Sequence, residues 1–175
     1  MTSKIQFIYL MIIIGMNIGC GFLIDPIHHN FSYLSTLNHG LLLLVYHVLC
    51  GCYLLIYTKK WMNVIHSSKK LHILAYLIFA CFIFSGMIPY QGHHSLLSKW
   101  HTRISLLAFV GFILFFIYLL YISYKQNRLK YQQIQLLSII FFIAIMLYFY
   151  TSHISYLLEA FLMIALCYYL YDLLK

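Results

Sequence analysis

Long apolar runs alternate with short polar ones along this chain. Six runs, at about 5–24, 36–57, 71–89, 102–124, 132–150 and 153–173, each hold close to the ~20 mainly apolar residues a helix needs to cross ~30 Å of hydrocarbon. Apolar side chains occupy every side of these runs instead of alternate positions, which predicts helices over the strands of a barrel. The pattern therefore predicts one all-α, polytopic transmembrane bundle of six helices spanning residues 1–175, with little chain left for a soluble domain.

Composition agrees with the pattern. Of 175 residues, 64% are hydrophobic and 8% charged, and the mean hydropathy is +0.90, outside the range of soluble globular domains. Charge then orients the bundle. With the N terminus inside, Lys4, the segment KKWMNVIHSSKK (59–70), the segment KQNRLK (125–130) and Lys175 all fall on the cytoplasmic side. Lys99 and Arg103 fall outside. Nine basic residues against two satisfy the positive-inside rule and predict that both N and C termini are cytoplasmic. The net charge of +8 is thereby assigned to topology and to anionic headgroups, not to nucleic acid.

The first run follows Lys4 and ends in NIGC, a pattern with some likeness to a cleaved lipoprotein leader. Asn17, three residues before Cys20, replaces the branched apolar residue such a site requires, so an uncleaved first helix is expected. The five cysteines fall inside predicted spans, where thiols pack as small apolar groups. Cys50 and Cys52 would project ~200° apart on a helix and are poorly placed to share a metal.

The polar residues gather on the other side. DPIHHNFSYLST (25–36), YQGHHSLLSKW (90–100) and the turn around His153 all face outward in this topology. Closed over the bundle, they would form a polar pocket with Asn38, His39 and His101 at its mouth and Asp25, Ser32 and Ser35 at its rim. Arg103 and Glu159 lie deeper, and a charge there costs ~2–3 kcal/mol or more unless paired. An Arg103–Glu159 ion pair is the expected solution.

Several chemistries fit such a cluster. Zinc is a candidate, with His28, His93, His94 and His101 as ligands, although no HExxH motif is present. Haem is disfavoured, because only His39 and His101 sit at matched depth on different helices. A transmembrane ion path is disfavoured by the lack of acids in the inner half and of paired Gly/Pro breaks. The same residues can also serve simply as helix caps and interhelical hydrogen bonds.

The segments FSYLSTLNHG, GMIPYQGHHSLLSKWHTRISLLAF and SHISYLLEAFLMIALCYYLYDLL resemble a group of six-span proteins known as domain of unknown function 998, similar in turn to the Frag/DRAM/Sfk membrane proteins. The matching positions are Ser32 or Ser35, Gly86 with Pro89, His101 and Glu159. The resemblance implies a six-helix architecture with an outward polar pocket and no particular reaction. A more distant similarity to alkaline ceramidases and adiponectin-receptor hydrolases keeps lipid hydrolysis in view, without their histidine spacing. The expected function is that of an accessory protein of a bacterial cytoplasmic membrane, whose pocket binds a lipid headgroup or docks a partner protein or a second copy. The alternative is a zinc-dependent hydrolase acting on lipid or peptide at the outer leaflet.

Overall fold

The structure, a computed structural model, describes residues 3–91 and 95–174. It contains α1 (Ser3–Gly21), α2 (Tyr33–Thr36), α3 (Gly40–Val64), α4 (Lys69–Met87), α5 (Leu96–Lys125), α6 (Tyr131–Thr151) and α7 (Tyr156–Leu173). All except the one-turn α2 are long and apolar enough to cross a membrane. The chain is a multi-pass, all-α membrane protein. Because the six spans alternate in direction, one end of the bundle gathers Lys4, Lys69, Lys70, Lys125, Arg128 and Lys130 (the basic end). The other gathers the segments around residues 22–39, 88–91 and 152–155, together with Ser95 (the polar end).

α3 is the central helix. It packs against α1, α2, α4 and α7; α5 adds to α4, and α6 packs on α7. Two glycines let helices close up on it. A Cβ on Gly86 of α4 would stand 2.7–3.0 Å from the Cβ, Cγ and Nδ1 of His47, and one on Gly51 of α3 would stand 2.8 Å from Cγ1 of Ile83. His47 lies along its own helix, its Nδ1 2.8 Å from the Leu43 carbonyl. Such close helix contacts stand in for the hydrophobic drive that is absent within lipid.

Buried polar groups tie the helices at specific depths. In α1, Asn17 donates to the Ile13 carbonyl (2.8 Å) and accepts from the Tyr46 hydroxyl of α3 (3.2 Å), while the Tyr156 hydroxyl of α7 donates to its carbonyl. Towards the basic end, Trp61 Nε1 donates to Ser123 Oγ of α5 (2.8 Å), which donates onward to the Leu119 carbonyl (2.8 Å).

The largest departures from the sequence expectation are at two helix limits. α3 runs about seven residues beyond the expected span, because Trp61 and Met62 face the core while Lys59 and Lys60 extend over the rings of Tyr76 and Tyr57. Long aliphatic stems allow a helix to carry lysines across such a boundary. α5 begins at Leu96, six residues early, where Ser95 accepts from the Ser98 amide at 3.0 Å and caps the helix.

Candidate functional site

The segment at residues 22–32 is clamped onto the start of α7. The first amides of a helix have no partner within it; here Tyr156 N donates to the His29 carbonyl (2.6 Å) and Leu157 N to the Pro26 carbonyl (3.0 Å). Glu159 answers in return, its Oε2 accepting from the Phe31 amide at 2.7 Å. The Phe31 ring fills the space this creates, stacked at 4.2 Å on Tyr46 and at 4.5 Å from Tyr156.

The Arg103–Glu159 pair expected from sequence is therefore not formed. Glu159 sits in the first turn of α7, not two turns down, because that helix starts at Tyr156, and its carboxylate is spent on a backbone N–H. Arg103 is exposed, with its guanidinium 5.9 Å from the Trp100 ring centroid. The reason is helical phase. His101 is 3% exposed, and a residue two positions on points ~200° away.

His101 is the centre of the polar end. Its Nδ1 is 2.8 Å from the Ile88 carbonyl and its Nε2 2.8 Å from Ser32 Oγ. A carbonyl only accepts, so Nδ1 carries the proton of the neutral ring, and the Nε2 lone pair receives the Ser32 hydroxyl hydrogen. The Tyr90 ring meets the imidazole edge-on at 5.8 Å. Ser35 knits the same region: its hydroxyl lies 2.9 Å from the Ser32 carbonyl and 2.8 Å from the Tyr90 carbonyl, and it accepts from the Tyr90 amide at 2.9 Å. Ser98 Oγ accepts from the Gln91 amide (2.8 Å) and from Ser95 Oγ (2.7 Å).

Of the residues singled out from sequence, Ser32, Ser35 and His101 come together, and Glu159 holds the adjoining segment in place. Asn38 and His39 are exposed and do not line a pocket mouth. Asn38 takes φ 60° where the chain turns from α2 into α3, a left-handed conformation that asparagine tolerates better than most residues. Asp25 is exposed and accepts from the Ile27 and His28 amides and pairs with His28 Nδ1 at 2.7 Å. These bonds, His28 first, hold its carboxyl down to about 2.

As zinc ligands, His28 and His101 serve different partners, and His93 and His94 lie outside the described residues. No group of three or more His, Cys, Asp or Glu suited to a metal occurs among the described residues. Sequence reasoning missed Ser95, Ser98 and the Ile88 carbonyl. The Ser-x-x-Ser spacing before α5 was the available signal for the first two. Two concave surfaces lie at the basic end. One of about 200 Å³ is lined by Trp61, Val64, Ile65, Arg128, Leu173 and Leu174.

No protein-family model, curated protein or solved structure matches this chain.

Proposed function

We propose that this multi-pass protein resides in the cell membrane, with its termini inside, and binds lipid headgroups at its outward-facing polar end. The observation that carries the reading is the first two turns of α5. His101 on the buried side belongs to the Ser32 cluster, while Lys99, Trp100 and Arg103 are exposed beside it. Residues at i, i+3 and i+4 share a helix face, so two cations and an indole form one ridge. Trp prefers headgroup depth, Arg bends its charged head back to the interface, and guanidinium is suited to bidentate phosphate recognition. The excess of basic residues at the opposite end supports the orientation. The resemblance of Ser32 or Ser35, Gly86 with Pro89, His101 and Glu159 to the domain of unknown function 998 pattern supports a site at this end.

Native mass spectrometry of protein released from nanodiscs of mixed phosphatidylglycerol and phosphatidylethanolamine tests the reading. Wild type should retain phospholipid, and the double variant Lys99→Ala, Arg103→Ala should retain at least several-fold less. Equal retention by both would overturn it.

A further inference from the structure

We propose that Ser32 and His101 form a nucleophile–base pair that cleaves acyl esters of membrane lipids at the polar end; the lipid source of the substrate rests on the headgroup reading above, while the pair itself rests on its own geometry. Four features of that geometry point the same way. The Ser32 hydroxyl stands 2.8 Å from Nε2 of His101, within the 2.6–3.2 Å reach of a nucleophile and its base. The opposite ring nitrogen is anchored at 2.8 Å by the Ile88 carbonyl, which fixes the tautomer that leaves Nε2 free to accept a proton. In serine hydrolases a carboxylate does this orienting; here a backbone dipole does. The third feature is burial: His101 is 3% exposed, whereas Ser32 is only partly buried, so Ser32 is the member of the pair nearer the surface. The Ser32 amide makes no hydrogen bond among the described residues, leaving one N–H on the nucleophile's own backbone for a developing oxyanion, a placement that serine hydrolases use.

The reaction balances without a metal or cofactor. Ser32 Oγ bonds to the ester carbonyl carbon as its proton passes to His101 Nε2. Collapse of the tetrahedral adduct breaks the bond to the alcohol oxygen, which takes the proton from Nε2 and departs, leaving Ser32 acylated. Water then attacks the acyl carbon, giving a proton to Nε2. Release of the fatty acid returns that proton to Ser32 Oγ. The carbonyl of Ile88 carries no full charge to steady the imidazolium, so the chemistry is slow beside that of a full triad.

The test is to treat the full chain in nanodiscs with an alkyl fluorophosphonate and locate the adduct by peptide mass spectrometry. The expected result is one phosphonyl group on Ser32, absent in Ser32→Ala and slowed about 100-fold or more in His101→Gln, the lower end of what a general base contributes. The exposed Ser138→Ala variant should label like wild type. A merely structural Ser32–His101 bond would lower the melting temperature of Ser32→Ala without any labelling of wild type, and that outcome overturns the proposal. Adduct on a different serine overturns it too. Should Ser32→Ala fail to fold, the mapped site in wild type decides. Lipid retention is measured on the same samples: retained lipid with no adduct sinks the nucleophile and leaves the binding reading standing, whereas adduct on Ser32 without retained lipid sinks the lipid source and leaves the pair.

Discussion

The amide of Phe31 donates to the carboxylate of Glu159 across 2.7 Å and 128 positions of sequence. An acid in a membrane helix is usually read as half of an ion pair or as part of a proton path; here its partner is a backbone N–H, and the bond pins the segment before α2 to the head of α7. Glu159→Ala should leave that N–H unsatisfied and cost about 1–3 kcal/mol. Glu159→Gln, which keeps an acceptor oxygen, should cost less than half as much. Arg103→Ala should change stability by no more than about 0.5 kcal/mol, as for other exposed side chains. Reversible unfolding in mixed micelles reads all three, and a loss on Arg103→Ala equal to that on Glu159→Ala would restore the ion pair.

Close packing at the two interhelical glycines predicts unequal costs. Gly86→Ala drives a methyl to within 2.7–3.0 Å of the His47 Cβ and ring, atoms close to the backbone that cannot swing aside, and should destabilise by about 1–3 kcal/mol. Gly51→Ala meets Cγ1 and Cδ1 of Ile83 and Cδ1 of Phe82, all side-chain atoms that can move by rotation without shifting the backbone, and should cost less. Gly15→Ala has nothing within 4 Å and should be neutral or gain up to about 1 kcal/mol from helix propensity. Melting temperatures of the three variants in one detergent give the order directly.

At the basic end, Ser123→Ala removes the acceptor of the buried Trp61 N–H and should cost about 1–3 kcal/mol. Trp61→Phe removes the donor, yet Ser123 keeps its bond to the Leu119 carbonyl. In the double variant the Ser123→Ala penalty should largely vanish. A double-mutant cycle in the same unfolding assay measures this, and additive losses would refute the pairing.

Asp25 gives the pH dependence. Its carboxyl is held down to about 2, chiefly by the His28 side chain and next by the Ile27 amide, against an ordinary value of ~3.9. A depressed acid stabilises the fold above its unfolded value and loses that contribution as pH falls through the folded one. The order of residues 25–28 should therefore hold down to about pH 4 and fade towards about pH 2. Carboxyl-carbon NMR of labelled aspartate should show the low midpoint, and His28→Ala should move it upward while the Ile27 contact keeps it below the ordinary value.

Much of the bundle was legible because membrane helices announce themselves by length and hydropathy alone. All six spans were placed; Asp25, Ser32, Ser35, Asn38, His39, His101, Arg103 and Glu159 were expected around one pocket, and of these the structure joins Ser32 to His101 and Ser35 to the Ser32 carbonyl. What escaped was set by tertiary contact. α2 is a single turn that owes its existence to the segments around it, and the tail of α3 looks like loop until Trp61 and Met62 are seen facing inward. The Arg103–Glu159 expectation failed on information the sequence did contain: His101 and Arg103, two residues apart on one helix, cannot both point inward. The partnership of Ser32 with His101 was not readable, because it joins a turn and a helix 69 positions apart through a ring whose orientation depends on the carbonyl of Ile88.

The clamp between residues 26–31 and the head of α7 also has a consequence in time. Ribosomes deliver a chain from its first residue to its last, so the Pro26 and His29 carbonyls and the Phe31 amide emerge long before the amides and carboxylate that bind them. Until α7 is inserted, the segment before Ser32 lacks those three bonds and keeps the Phe31–Tyr46 stack. The polar end is thus completed only once α7 is made, and a nascent chain halted before Tyr156 lacks the clamp on the segment that precedes Ser32. The order of synthesis therefore sets when the surroundings of Ser32 take their final form.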